Sequence, residues 1–247
     1  MTAPWQAIVE DLHGALAPAG LDLVGATTCG AYDASLSDAE RARFALPCEA
    51  ADRLVVCVGN TKALWPALVS AASRDAELAR TEHPVDDYAR AVVERAAEAV
   101  ARAHGVELRV IAAPEIGPPA IALARLGVAS GLGHVAPCHL LVHPVHGPWV
   151  GLRAAVVVDI AGPAVAAADP SPCESCATKP CLDAYETAVS ASGGDGAVTR
   201  ESLAREYPLW LRIRLVCPVG QASRYPDDQA EYHYTKRRAA LPFGAHS

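Results

Sequence analysis

Three cysteines in a C-x2-C-x4-C arrangement, Cys173, Cys176 and Cys181, follow a proline-rich entry, and a fourth, Cys217, stands in a later Cys-Pro pair. Thiolates two residues apart on a tight turn converge on one metal or cluster, and a proline after a remote cysteine accompanies the ligands of ferredoxin-type clusters. Four cysteines also suit a closed tetrahedral zinc site, and spacing alone does not separate the two. In a chain without a leader signature, such a group reads as metal-binding and not as a disulfide framework. The other four, Cys29, Cys48, Cys57 and Cys138, are scattered, with Cys57 and Cys138 inside expected strands. All four read as buried, reduced thiols that behave as small apolar residues.

A second concentration of chemistry runs from Leu126 to Asp159, which holds two Gly-rich turns, four of the nine histidines and the longest β-branched run of the chain. The apolar runs Cys138 to Val142 and Trp149 to Val158 flank Pro144, Gly147 and Pro148, a pattern that predicts a β-hairpin with a wide turn. Its tip would gather His143, His146 and Trp149. Taken bare, Trp149 reads as core, and His143 as a histidine that caps its own turn.

The elements that must position these residues follow from periodicity and punctuation. An amphipathic helix is expected over Trp5 to Leu16, ended by Pro18 and Gly20, then a strand from Leu21 to Ala26. Ser37 is placed to cap a short helix. A buried strand is expected over Arg53 to Val58 and a helix over Lys62 to Arg74. The clearest helix begins at His83-Pro84: Tyr88, Val92, Ala96 and Val100 recur four apart, Asp86 and Asp87 sit at its positive end, and Gly105 stops it. A strand from Val106 to Ala112 and a helix from Pro118 to Val128 lead into the histidine-rich stretch. Lys236, Arg237 and Arg238 read as a solvated basic helix end. Alternating helices and strands with an added antiparallel hairpin make an α+β fold with a mixed sheet flanked by helices.

The 247 residues are 51% hydrophobic, enough for a substantial core, with a formal net charge of -7. No apolar run reaches the ~18 residues that a membrane span needs, so a cytoplasmic protein is expected. The negative charge disfavours nucleic acid as a partner. Arg outnumbers Lys 18 to 3, a skew read as codon bias.

The run L-V-H-P-V-H-G-P-W-V-G-L-R from Leu141 resembles the H-P-x-x-G-x-W-x-x-x-R segment of the CblC-type cobalamin-processing proteins. The H-P-V-D-D-Y helix start at His83 and R-Y-P-D-D-Q-A-E-Y at Arg224 fall in matching order. The cysteine segment is not usual in that family. With G-L-G-H at Gly131 to His134, it is similar to epoxyqueuosine reductase, a corrinoid and iron-sulfur enzyme related to the reductive dehalogenases, where G-L-G-W precedes a like hairpin. That enzyme is expected to carry eight cluster cysteines against four here. It also has an acidic residue where Ile116 to Ala120 has none, and Trp where this chain has His134.

The resemblance implies a nitroreductase-like, corrinoid-binding core over residues 1–160, a cysteine-rich iron-sulfur module over 161–223, and a C-terminal helix and tail, 224–247, packed back on the core. It implies a cluster, 4Fe-4S ahead of 2Fe-2S, on Cys173, Cys176, Cys181 and Cys217. Cobalamin or a related corrinoid would be bound through Gly131, Gly133, His134, His143, Gly147, Trp149, Arg153, Arg224, Tyr225 and Tyr232. Glycines would allow close approach of the ring, Trp149 would form a wall, and Tyr225 and Tyr232 would cover the upper face. Flavin in the pocket stays open. Of the residues that grip glutathione in the animal proteins, only Arg153 and Arg224 carry over. The implied activity is removal of the upper axial ligand by one-electron reduction of cobalt, fed by a low-potential donor. Two alternatives stand beside it: a corrinoid-dependent reductase of an epoxide or halide, and a non-enzymatic trafficking module with structural zinc.

Overall fold

The computed structural model describes residues 3–112, 121–164, 170–194 and 198–243. Its helices are α1 (Pro4–Leu16), α2 (Cys29–Ala34), α3 (Asp38–Phe44), α4 (Leu64–Ala72), α5 (Ala76–Arg80), α6 (Pro84–His104), α7 (Leu123–Ala129), α8 (Cys181–Ala191), α9 (Arg200–Arg205), α10 (Tyr207–Leu215) and α11 (Asp227–Thr235). Strands β1 (Leu23–Thr28), β2 (Arg53–Asn60), β3 (Leu108–Ala112) and β6 (Gly151–Ala161) form one sheet in the order β1-β2-β6-β3. Two short strands, β4 (His134–Val135) and β5 (Leu141–Val142), pair separately.

Period-two alternation assigns the sheet two buried faces. Leu54, Val56 and Val58 of β2 and Ala154, Val156 and Val158 of β6 pack against Leu12 and Leu16 of α1, Leu64 and Leu68 of α4, and Val92, Ala96 and Val100 of α6. The alternate residues Val55, Cys57, Ala155 and Val157 face Tyr32, Leu36, Leu46, Leu126 and Leu132. The β-branched runs of β2 and β6 are thus covered on both sides, so they read as nearly continuous apolar segments. Beyond the sheet, α8 and α10 pack on each other around Ala188, Trp210 and Ile213. There the Trp210 indole donates to Ser192 Oγ at 3.2 Å.

Most expected elements form close to their expected bounds. Ser37 caps α3 reciprocally: its Oγ accepts from the Glu40 amide at 3.3 Å, and Glu40 accepts from the Ser37 amide at 2.9 Å. Gly105 ends α6 at φ +64°, a conformation that costs glycine little. The helix expected from Pro118 begins at Leu123, and residues 113–120 lie outside the described residues.

Other expectations are corrected. Every described pairing in the main sheet is antiparallel, so the sheet is not mixed. Helix-strand alternation predicts layers but not strand direction, and α1, α4 and α6 all cover one face. The hairpin is also rearranged. β6 uses both edges on β2 and β3, leaving none for Cys138–Val142, and β5 turns back on β4. Cys138 therefore sits in a turn, closed by the Ala136 amide donating to Leu140 O at 2.8 Å. Only a single bridge, His143 to Gly147, remains of the expected ladder.

Cys29 and Cys48, expected as free thiols, form a disulfide with Cα atoms 6.4 Å apart. The Gly30 amide donates to Ala51 O at 2.7 Å and brings the two segments together. In the basic tail Arg237 is exposed, as expected of a solvated end, but Lys236 and Arg238 are not. Lys236 lies 3.8 Å from Asp86, and Arg238 donates to Thr81 O at 2.6 Å.

Leu68 is fully buried between α4 and the sheet. Leu68→Ala should lower unfolding free energy by about 2–5 kcal/mol in a urea titration, with little change in slope.

Candidate functional site

Five cysteines, not four, line one narrow cavity. Cys173, Cys176, Cys181 and Cys217 are joined there by Cys138, among apolar walls that include Leu140, Val142, Pro148 and Ile213. Cys181 opens α8, Cys217 follows α10, and Cys138 comes from the β4–β5 turn. All five are free thiols. Burial pushes the Cys181 thiol up to about 11, with the neighbouring Cys138 adding to the rise. Burial also raises Cys173 and Cys217, opposed by hydrogen bonds from Ser171 and from the Val219 backbone respectively. Among the described residues no three His, Cys, Asp or Glu side chains stand close enough to share one metal ion. Soft sulfur donors in a dry apolar recess are the donor set that iron-sulfur clusters and zinc both use. The sequence signal that would have added Cys138 is weak, because its partners lie far away in the chain.

The expected hairpin tip is docked on the segment after Cys217. Gly147 has φ +58°, and a Cβ there would run into the Val219 carbonyl. Gly220 has φ +74°, and its Cβ would strike the His146 carbonyl. Two backbones touch at a place where neither can carry a side chain. His146 Nδ1 lies 2.8 Å from Ser223 Oγ, which fastens the same contact. His143 Nδ1 accepts from the amides of Val145 and His146 at 3.0 and 3.2 Å, so its proton is on Nε2. Burial, then the nearby His146, hold its pKa below the ordinary 6.5.

Behind this turn lies a second cavity of about 240 Å³, lined by residues including Trp149, Arg153, Arg214, Tyr225, His233 and Lys236. Trp149 is fully buried and meets Tyr225 edge-on, with ring centroids 5.6 Å apart. The Trp149 Nε1 and Tyr225 hydroxyl are both buried without a hydrogen-bond partner, although the hydroxyl lies close to the Asn60 amide. Arg153 is fixed from two sides: Nε donates to Asn60 Oδ1 at 2.7 Å, and Nη1 lies 3.4 Å from Asp86. Lys236 shares that carboxylate and stands 5.3 Å over the Tyr232 ring. Arg214 donates from Nε to the Tyr234 hydroxyl at 3.1 Å and from Nη1 to the Pro148 carbonyl. His233 accepts at Nε2 from Gln229, 3.4 Å away. Its pKa is held well below 6.5, first by burial, then by Arg153, Lys236 and Arg214. The cavity therefore combines three cations and a neutral imidazole with unused donors, and the Asp86 carboxylate binds Arg153 and Lys236 from outside its lining. Such a lining suits carbonyl acceptors on a ligand.

The corrinoid-site residues expected from the sequence divide into two sets. Trp149, Arg153 and Tyr225 line the second cavity, and Tyr232 is buried beside it, 5.9 Å from Trp65, with its hydroxyl pushed up to about 12 by burial. His143 and Gly147 build the turn. Gly131 is exposed, with open space where a Cβ would stand, and at Gly133 a Cβ would meet the Val142 carbonyl at 2.5 Å. His134 lines a separate surface groove with Arg125, Cys173 and Lys179. Arg224 is exposed and pairs with Asp227 at 2.8 Å. Arg214, His233 and Lys236 were missed, since polar residues on short helices carry no periodic signal.

An antiparallel sheet between helical layers, with a cysteine-lined helical layer beside its longest strand, places the chain in an α+β class. In detail the fold is similar to that of a solved protein described as a B12-trafficking protein. The chain superposes on CblC from C. elegans with a TM-score of 0.68 at 15% identity, covering 98% of this chain and 97% of that one. An epoxyqueuosine reductase superposes with a TM-score of 0.57 at 16% identity, over 91% of this chain and 68% of that one. The same enzyme solved with an epoxyqueuosine-modified tRNA stem loop gives 0.57 at 15%, with the same coverage. No protein-family model matches the chain, and no curated protein matches it in sequence. The likeness read from scattered motifs is thus borne out as a shared fold. Among the described residues no helix is long and apolar enough to cross a membrane.

Gly147→Ala should destabilise the protein by about 1–3 kcal/mol in urea, because the added methyl meets backbone that cannot retreat. His233 remains neutral in the folded chain well below 6.5, whereas the unfolded chain takes up a proton near that value. Its contribution is therefore complete above about pH 6.5 and is lost as pH falls. Stability measured from about pH 7 to about pH 5 should drop, and His233→Gln should flatten that slope.

Proposed function

We propose that this chain is a cobalamin-binding iron-sulfur redox protein that processes the bound corrinoid. The observation that carries this reading is the thinness of the wall between the two cavities. Pro148 lines the cysteine cavity and Trp149 the second one; Ile213 lines the first and Arg214 the second. Adjacent residues thus face opposite sides, which leaves a thin wall between the thiol site and the second recess.

When bound, the cluster supplies single electrons, and the corrinoid supplies a cobalt whose upper ligand is released on reduction. The chain's own residues hold and isolate these groups. Cys173, Cys176, Cys181 and Cys217 would lose their protons to serve as ligands. Trp149 Nε1 and the Tyr225 hydroxyl would donate to amide carbonyls at the corrin edge, giving partners to two buried groups that lack them. Arg153, fixed by Asn60 and Asp86, would present its remaining N–H groups to the ligand. The fold shared with CblC supports cobalamin as the corrinoid, and the fold shared with epoxyqueuosine reductase supports redox chemistry at the same recess.

Anaerobic reconstitution should give stoichiometric iron and sulfide with broad visible charge-transfer absorbance, lost in Cys181→Ser and Cys217→Ser. Cobalamin should change its spectrum on mixing, and Trp149→Ala should weaken its binding at least ~10-fold, equivalent to about 1.4 kcal/mol. Zinc alone in the metal analysis would remove the electron-transfer half of the reading. Turnover of an epoxide or halide by the reduced protein would replace cofactor processing with organic reduction.

A further inference from the structure

Arg214 stands in the wall itself, and the structure shows no carboxylate partner for it among the described residues. Arg153 and Lys236 share Asp86, Arg53 pairs with Asp159 at 2.7 Å, and Arg224 pairs with Asp227. Arg214 has only neutral partners, the Tyr234 hydroxyl and the Pro148 carbonyl. Tyr234 is itself anchored, donating to Trp210 O at 3.1 Å, so the guanidinium is held in place. A cation taken out of water without a counter-charge is costly, and it lowers the energy of any negative charge that forms nearby.

A place close by where negative charge can form is the cysteine cavity. Arg214 and Cys217 belong to one helix end, where the Cys217 amide donates to Arg214 O at 3.3 Å. The peptide it contacts through Pro148 is also part of that cavity's lining.

We infer that Arg214 is a positioning residue for the cysteine site, whose unpaired charge raises the reduction potential of a cluster bound there. The inference rests on the cluster reading given above. The step concerned adds one electron from a low-potential one-electron donor to the oxidised cluster, with no proton, so the site gains one negative charge beside the guanidinium. That attraction is strengthened by the apolar walls of the cavity, which lower the local dielectric below that of water.

The test is a mediator titration with dithionite on the reconstituted full-length protein, followed by EPR and absorbance, with iron and sulfide measured on each sample. Arg214→Met should retain iron and sulfide but move the midpoint to lower potential, and Arg214→Lys should restore most of the shift. If Arg214→Met does not fold, Leu211→Glu decides. It sets a carboxylate one turn away on the wall of the second cavity, and it should lower the midpoint with Arg214 still present. Unchanged midpoints in these variants, with clusters intact, would overturn the role of Arg214 while leaving the cluster reading standing. Absence of iron and sulfide from the wild-type protein would overturn both.

Discussion

The contact between the His146–Gly147 turn and the Val219–Gly220 backbone is the constraint on which the rest of the site depends. Two peptide segments separated by some seventy residues in sequence approach until neither has room for a β-carbon. This contact fixes Pro148 and Trp149 on one side and Cys217 on the other. Without it the cysteine layer and the end of the central sheet would be two neighbouring surfaces with no shared wall. The histidines of the turn serve this purpose directly: His143 closes the turn through its own Nδ1, and His146 reaches Ser223.

The sheet supplies the second fixed point. From Ala154 to Val158 β6 is hydrogen-bonded along both edges and mostly buried on both faces, and Arg153, just before this stretch at a register shift against β2, is held instead by its contacts to Asn60 and Asp86. Asp86 completes the arrangement from the first turn of α6. At that position an acid complements the helix dipole, and it serves here as the single anion between Arg153 and Lys236. The cavity keeps a surplus of positive charge because Arg153, Arg214 and Lys236 face the one Asp86 carboxylate, and burial with these cations leaves His233 neutral. An electropositive recess with unpartnered donors is a poor place for water alone and a good one for an acceptor-rich ligand.

Much of the fold could be read from the residues. Helices α1, α3 and α6 follow from periodicity and caps, and β2 and β6 from unbroken β-branched runs. The strand directions could not be read, since alternation of elements is the same for parallel and antiparallel layers. Nor could the partner of the Cys138–Val142 segment, because a hairpin and two strands of different sheets look alike when only a turn separates them. The site was legible where sequence-local chemistry marks it, as at Cys173, Cys176 and Cys181. It was illegible where distant segments meet: Cys138 among the thiols, Arg214 in the wall, and the Cys29–Cys48 bridge across 19 residues. Gly131 follows the end of α7 with open space beside it, and Gly133 stands where a Cβ would meet the Val142 carbonyl.

Because α10 gives consecutive residues to opposite cavities, its phase matters as much as its composition. Each residue of a helix turns the next by ~100°, so one insertion between Leu211 and Cys217 would carry Arg214 out of the wall and swing Cys217 away from the other thiols. Substitutions along this helix can be accommodated one at a time, but a change in its length would break both cavities at once. The spacing from Leu211 to Cys217 should therefore be the least length-tolerant part of the chain, a frame shared by two sites that differ in every other respect.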